Sequence, residues 1–322
     1  MKTRLQHRYI VVGIVLSFVV ALAGQQIRNA NAATEKQSPR VVASIAPIHS
    51  LVSTVMVGVG KPTLLLPGTV SPHAYHLKPS DAALLEDAQV VFWVGPALET
   101  VLSKPMETIA TRSVSVQLMD ARALKILPRR KGGVLGHSGG DDQDQDHEVG
   151  DADPHVWLDP VNAIVMLFVI SETMGELDPD NAAFYRGNAI SGIERIKKLD
   201  IEIEQALTDV REMPYVAFHD AYQYFEDRYG LVPLATIAVD PDHAPGARRV
   251  NEVKTAIAQS GARCVFTEPQ FDPGLVSTLI EGTEVRTGKL DPLGADIAPG
   301  PFFYDEMMHA MTMDLIACLA EN

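Results

Sequence analysis

Cysteine is nearly absent from this chain of 322 residues, which contains only Cys264 and Cys318. The two do not form a C-x-x-C pair, which excludes the usual thiolate zinc site and a dithiol redox motif. The sequence also lacks the H-E-x-x-H motif of zinc peptidases, and Gly58–Pro62 places proline where a phosphate-binding loop needs a hydroxyl. These absences exclude several common catalytic sites, and we expect that the protein is not an enzyme.

Positive charge is scarce as well, because 27 Lys and Arg residues stand against 41 Asp and Glu residues. The net charge of −14 repels a phosphate backbone and argues against nucleic acid as a partner. At 46% hydrophobic residues the chain is too apolar for disorder and too polar for a protein with many membrane spans. We therefore expect one or two folded domains whose partners are cations.

The one long apolar run lies at the N-terminus. Three basic residues precede it within the first eight positions, it extends over 9–24, and the small residues Ala30 and Ala32 follow. This order predicts a secretory signal peptide over residues 1–32 and an exported protein. A membrane anchor is the alternative, but the run is shorter than the ~20 residues that a spanning helix needs. In an oxidising compartment an even pair of cysteines usually bonds, so we predict a disulfide between Cys264 and Cys318 rather than two buried thiols.

Short apolar runs alternate with amphipathic stretches along the rest of the chain. Strands are predicted at 41–45, 63–66, 90–94, 114–118, 215–218, 234–238, 264–267 and 285–287, with helical stretches between them. Such alternation is typical of βα units and parallel sheets. The two groups of strands predict an α/β protein with two lobes, 39–178 and 212–322, each built on a largely parallel sheet.

Residues 179–211 carry the longest helical pattern, with apolar side chains every three or four positions. We interpret this segment as one long rigid helix that joins the lobes, with two shorter helices as the alternative. The acidic, glycine-rich segment 129–153 cannot bury a core and is predicted to be a mobile loop. Its His137 and His147 among many carboxylates leave open a weak cation site. Within it, 136–140 fits the G-x-S-x-G pattern of esterases, but without the flanking strand and helix that the pattern requires.

Three histidines are the strongest functional candidates. His219 directly follows a predicted buried strand, which is where α/β proteins bind ligands. His73 and His155 each follow a proline at a predicted element boundary. Neutral imidazole is a common zinc ligand, and three such rings suit Zn²⁺ at ~2.0 to 2.1 Å.

Five motifs in order carry a resemblance to a known family. They are Ser71-Pro72-His73-Ala74-Tyr75-His76, the run from Asp153 to Pro160, Phe218-His219-Asp220-Ala221-Tyr222, Thr267-Glu268-Pro269-Gln270-Phe271 and Leu290-Asp291-Pro292-Leu293-Gly294. With these motifs the chain resembles, from residue 39 to the C-terminus, the metal-binding solute receptors of ABC importers, and most closely the zinc receptors of the ZnuA type.

The resemblance implies two α/β lobes, a metal ion in the cleft, and high-affinity zinc capture in the periplasm. It further implies a monomer that delivers zinc to an inner-membrane permease driven by a cytoplasmic ATPase. His73, His155 and His219 match the ligand positions of the family. Asp291 matches a carboxylate position, so the fourth ligand is either Asp291 or water, and Asp291 is alternatively a hydrogen-bond partner of a ligand.

Other functions stay open at this point. A three-histidine site with a free position also describes a zinc hydrolase. Manganese receptors and adhesins share the fold, but manganese receptors carry a glutamate in place of His219, and imidazole favours the softer zinc. His76 and His243 are additional histidines near the predicted cleft, as exposed side chains or as peripheral metal contacts. We predict that Glu268 is a hydrogen-bond partner of a ligand histidine or of a loop.

Overall fold

The computed structural model describes residues 38–130, 132–135, 152–238 and 245–320. The predicted signal peptide over 1–32 lies outside these residues, and so do His137, His147 and His243. Both sheets of the protein belong to the unit Pro39–Asn322. Among the described residues, every strand of the two sheets but one corresponds to a predicted strand.

The first sheet holds the first four strands in the order β2-β1-β3-β4, and all of its pairs are parallel. Its strands are β1 (Val41–Ala43), β2 (Thr63–Leu64), β3 (Val90–Trp93) and β4 (Val114–Gln117). The two central strands, β1 and β3, are buried at every residue. This burial on both faces explains their uninterrupted apolar sequence.

The second sheet holds five strands in the order β5-β7-β6-β8-β9. Its strands are β5 (Gly133–Val134), β6 (Tyr215–His219), β7 (Pro233–Ala238), β8 (Cys264–Thr267) and β9 (Arg286–Lys289). All pairs are parallel except β5, which runs antiparallel to β7 at the edge. The prediction of an α/β fold with two largely parallel sheets is confirmed.

Nine α-helices connect these strands in the described part of the chain. They are α1 (Ala46–Val55), α2 (Pro79–Asp87), α3 (Thr100–Thr108), α4 (Pro160–Leu177), α5 (Ala182–Ala206), α6 (Gln223–Tyr229), α7 (Ala247–Ser260), α8 (Gly274–Ile280) and α9 (Phe303–Leu319). Helix α4 is apolar and long enough to meet the criterion for a membrane span, but it packs against α1 and α5. Its apolar surface therefore contributes to the core.

Helix α5 occupies most of the segment predicted as the longest helix. It spans 25 residues, whereas the prediction covered 179–211. Pro179–Asn181 forms a separate 3₁₀ turn, and the residues after Ala206 form turns rather than helix. One face of α5, which includes Tyr185, Ile196 and Ile203, is buried. Its role as a rigid connection between two lobes stays a prediction.

The last helix, α9, returns to the beginning of the chain. It packs against α1, α5 and β9. The backbone N–H of Tyr304 donates to Ser50 Oγ at 2.9 Å, and Thr54 Oγ1 donates to the Pro301 carbonyl at 2.8 Å. Cys318 of α9 forms a disulfide with Cys264 of β8, as predicted. The C-terminal segment thus fastens the second sheet to the helices of the first.

The segment predicted as a mobile loop over 129–153 is structured at both ends. Residues Gly133 and Val134 form β5, which is too short and too rich in glycine to be visible in the sequence pattern. Arg130 forms ion pairs with Asp220 and Glu226, and a bridge joins Pro128 to Ala152. Because these partners lie far away in the sequence, the local composition gave no indication of them. The glycine-rich and acidic stretch 136–151 lies outside the described residues.

Candidate metal centre

Three chain segments bring the predicted histidines together. His219 is the last residue of β6, at the carboxyl end of a fully buried strand. His155 immediately precedes a 3₁₀ turn, Val156–Leu158, which leads into α4. His73 lies in the long connection between β2 and α2, where its N–H donates to Ser71 Oγ at 3.3 Å. Each ring therefore comes from a turn or a strand end, where a side chain can leave the sheet and face a ligand.

The three rings converge through their Nε2 atoms. His155 Nε2 lies 3.4 Å from Nε2 of His73 and 3.4 Å from Nε2 of His219. One ligand nitrogen from each of the three lies within 4.8 Å of the other two. Nitrogens at ~2.05 Å from a tetrahedral zinc stand about 3.3 Å apart. The spacing of the rings therefore fits one zinc ion between them.

Two buried carboxylates hold the opposite sides of two rings. Asp153 Oδ1 lies 2.7 Å from His155 Nδ1 and also accepts the His155 backbone N–H at 3.0 Å. Glu268 Oε1 lies 2.6 Å from His219 Nδ1. A neutral ring in this arrangement carries its proton on Nδ1 and presents the Nε2 lone pair to a metal. The contact of Glu268 with His219 agrees with the predicted hydrogen bond to a candidate histidine, whereas the contact of Asp153 with His155 is not predicted by the sequence.

The environment shifts the pKa values of these two histidines in opposite directions. Burial lowers the pKa of His155 well below its usual value, and the neighbouring His219 lowers it further. For His219 burial also acts to lower the pKa, but the carboxylates of Glu268, Asp220 and Asp153 together outweigh it and raise the value overall. Burial raises the pKa of Asp153 to about 6. The His155 ring is thus neutral at pH 7 and can bind a cation without first losing a proton.

Asp291 is not part of the cluster of ligand atoms that the three histidines form. Its Oδ1 accepts the backbone N–H groups of Leu293 and Gly294, at 3.0 and 2.9 Å. Its Oδ2 accepts the N–H of Ala295 at 2.6 Å. A fourth donor to the carboxylate is the side chain of Gln270, which reaches Oδ1 at 2.9 Å. These bonds make the carboxylate the organiser of the turn that follows β9.

Apolar side chains enclose the histidine cluster. Trp157, Phe271 and Leu293 line the same cavity as the three rings. The ring of Trp157 lies 5.4 Å from that of His155, and its indole N–H donates to the Pro292 carbonyl at 2.9 Å. His155 and His219 are only 5% and 4% exposed, whereas His73 is more accessible. An apolar enclosure of this kind excludes water and strengthens binding of a charged ligand to the imidazoles.

The other described histidines lie apart from this cluster. His76 is exposed on the chain beyond His73. His49 is buried in α1, where its ring contacts the Pro62 carbonyl at 3.2 Å, and His309 lies beside Glu202 on the surface. Within the described residues, only His73, His155 and His219 form a group with the geometry of a metal site.

A known protein family matches most of this chain. The family model ZnuA, described as zinc-uptake complex component A, periplasmic, matches residues 41–318. The chain belongs to the ZnuA family. This confirms the family that the motifs indicated.

Two curated relatives show how far the similarity extends. The high-affinity zinc uptake system protein ZnuA of Brucella suis biovar 1 is 42% identical over 306 residues, which cover 87% of this chain and 92% of that protein. The protein of the same name from Paracoccus denitrificans is 36% identical and covers 88% of this chain and 93% of its own length. Both alignments therefore span nearly the whole of each protein.

The fold also matches a solved structure. The periplasmic zinc-binding protein TroA from Treponema pallidum superposes with a TM-score of 0.74 at 22% identity, over 88% of this chain and all of the other. At this identity the likeness concerns the fold. It agrees with the arrangement of two mostly parallel sheets described above.

Proposed function

We propose that this protein is a zinc receptor of an ABC importer, which captures Zn²⁺ in the periplasm and delivers it to the membrane permease. The observation that carries the proposal is the spacing of the three Nε2 atoms, with two separations of 3.4 Å that fit a tetrahedral zinc. The names of the ZnuA relatives support both the metal and the transport system. In this proposal His73, His155 and His219 are the three protein ligands.

The donor set favours zinc over manganese. All three converging atoms are imidazole nitrogens, whereas manganese prefers carboxylate and water oxygens. Asp291, which matches a carboxylate position of the family, already accepts hydrogen bonds from three backbone N–H groups. We therefore propose water rather than Asp291 as the fourth ligand. This water would complete the tetrahedral coordination of the ion.

A zinc hydrolase is the competing interpretation of the same three histidines. It requires a carboxylate or another base beside the metal-bound water. The two buried acids that contact the rings, Asp153 and Glu268, each face an Nδ1 atom, on the side of the ring away from the cluster. Neither acid is therefore placed beside the position of a metal-bound water, where a general base would have to lie. We propose that the protein is a receptor without catalytic activity.

Metal analysis of single variants tests the site. Mature protein is purified with excess zinc, desalted and assayed for zinc per chain, together with His73→Ala, His155→Ala and His219→Ala. His76→Ala serves as the matched control, because His76 is an exposed histidine three residues from a proposed ligand. We expect one zinc per chain in the wild type and the control, and a loss of stoichiometric zinc in the other three. Full zinc content in those three variants would contradict the proposed site.

The division into lobes over 39–178 and 212–322, joined by the segment 179–211 with α5 as its rigid part, belongs to the same proposal. The two separate sheets and the 25-residue α5 support it. A stiff connection allows only small movements when zinc binds, so X-ray scattering of the zinc-free and zinc-loaded monomer should give closely similar profiles. A strong change in the radius of gyration would contradict a rigid connection.

A further inference from the structure

The side chain of Gln270 joins two parts of the protein that meet at the metal cavity. Gln270 follows β8 and lines the cavity together with the three histidines. Its Nε2 donates to the carbonyl of Gly68 at 2.7 Å and to Asp291 Oδ1 at 2.9 Å. Gly68 belongs to the connection between β2 and α2, which also carries His73, whereas Asp291 follows β9 of the second sheet. One amide group thus bridges the second sheet and residues 65–78, the connection that we call the His73 loop.

Backbone packing around Gly68 makes this junction close. A Cβ atom built on Gly68 would lie 2.5 Å from the Leu293 carbonyl oxygen and 3.3 Å from Cα of Ala295. The contact therefore requires glycine, because any side chain would force the two loops apart. The His73 loop lies directly on the turn that Asp291 organises.

The orientation of the amide is fixed by its partners. Both acceptors of Nε2 are oxygens that cannot donate, so a reversed amide would place Oε1 against the Gly68 carbonyl and the Asp291 carboxylate. Oε1 itself is buried and has no hydrogen-bond donor among the described residues. The bond to Asp291 is assisted by the negative charge of the acceptor, which makes it stronger than a bond between neutral groups.

The position of His73 links this junction to the fate of the ion. His155 and His219 sit in buried positions, held by Asp153 and Glu268, whereas His73 is more exposed and lies on a loop. An ion bound to all three nitrogens can leave only when one of the ligand segments withdraws. His73 is the most exposed of the three proposed ligands, and the contacts of Gln270 hold its loop in place.

We propose that Gln270 is a positioning residue that controls the rate of zinc release. The two hydrogen bonds from its Nε2, to the Gly68 carbonyl and to Asp291 Oδ1, hold the His73 loop in place, and we call this pair of bonds the clasp. The proposal rests on the three-histidine zinc site proposed above. Loss of the clasp lets the loop withdraw more often, which accelerates release. Association changes much less, because the arrival of the ion is set by diffusion to the cavity, whereas the contacts of Gln270 retain an ion that is already bound.

Stopped-flow release of zinc to excess EDTA tests this inference. Gln270→Leu keeps the approximate volume and removes both hydrogen bonds, and we expect its release rate to rise about tenfold, the change that corresponds to one charge-assisted bond. Gln270→Glu keeps the shape but places a carboxylate against Asp291 and the Gly68 carbonyl, so its release rate should rise further, about 10- to 100-fold. Association rates should change by less than about threefold.

Gln259→Glu is the matched control, since Gln259 is an exposed glutamine on α7 that undergoes the same change of charge. We expect it to release zinc at the wild-type rate. The melting temperature of each zinc-free variant distinguishes loss of the clasp from general unfolding. If Gln270 variants melt far below the wild type, Gly68→Ala replaces them, because it separates the same loops from the other side and must also accelerate release.

The outcomes separate the two proposals. If the wild type binds no zinc, the proposed function fails. If the wild type binds zinc but Gln270→Glu, or Gly68→Ala in its place, releases it at the wild-type rate, the clasp is overturned. A slower association with unchanged release would overturn it as well, because Gln270 would then form the site without retaining the ion.

Discussion

Glu268 Oε1 lies 2.6 Å from Nδ1 of His219, and both side chains are at most 5% exposed. The carboxylate orients the ring and increases its basicity, although it makes no contact with the metal position. Glu268→Gln keeps an acceptor in place but removes the charge. We therefore predict about 10- to 100-fold weaker zinc binding with one zinc still bound at saturation, measured by competition with a chelator of known affinity. The exposed residue Glu284 provides the control Glu284→Gln, and equal affinities of both variants would contradict this role.

The variant Asp291→Asn tests whether Asp291 is a zinc ligand or only organises the turn that follows β9. Asp291→Asn retains one oxygen for Leu293 and Gly294 but turns an amide N–H toward the N–H of Ala295. We predict that the variant still binds one zinc per chain, and that its free energy of unfolding falls by about 1 to 3 kcal/mol because a buried donor loses its partner. Zinc analysis and denaturant titration of the same sample give both values. A stoichiometric loss of zinc would make Asp291 a ligand.

Glu99 is a fully buried acid outside the metal site. It accepts hydrogen bonds from Ser44 Oγ and from the backbone N–H groups of Val94 and Gly95. Burial nevertheless raises its pKa from 4.5 to about 7. The folded state therefore binds a proton more tightly than the unfolded state, and the stability that this acid contributes is present below pH 4.5 and lost as the pH rises through 7.

The variant Glu99→Gln isolates this effect. We predict that the free energy of unfolding of the wild type, relative to Glu99→Gln, decreases by up to about 3 kcal/mol between pH 4.5 and pH 8. Urea titrations of the zinc-free proteins at several pH values measure the difference, and the comparison cancels the other titrating groups. A difference that does not change with pH would show that Glu99 has an ordinary pKa in the folded protein.

The disulfide between Cys264 and Cys318 closes a loop of 54 residues in sequence. In the loop-entropy account such a cross-link stabilises the folded state by about 4 kcal/mol. We predict that the double variant Cys264→Ser, Cys318→Ser unfolds at a lower urea concentration than the wild type, and that dithiothreitol lowers the wild type to the same value. Identical midpoints with and without the bond would contradict a stabilising role.

The sequence predicts best those features that depend on local pattern. Strands β1, β3 and β8 are buried over most of their length, so each appears as a short uninterrupted apolar run. Their predicted positions differ from the observed ones by at most two residues at an end. Strand β5 could not be found in this way, because it has two residues, one of them glycine, and exists only through its pairing with β7.

The same distinction applies to the metal centre. His219 is recognisable from its place after a buried strand, and the family motifs indicate His73 and His155. The sequence does not predict the contact of Asp153 with His155, although only one residue separates them. The acidic residues around Asp153 give the pattern of a solvated loop. The proposed role of Gln270 depends on its hydrogen bond to Gly68, which lies 202 residues earlier in the chain. No local sequence pattern predicts such a contact.

The bond between Tyr304 and Ser50 joins positions 254 residues apart. Helix α1 is buried along its entire length and has α9 as one of its neighbours. During synthesis, α1, the first helix of the described residues, therefore acquires its final neighbour only when almost the last residues have been made. Such non-local contacts form slowly. A chain that ends before Phe303 lacks α9 altogether and so leaves α1 partly uncovered.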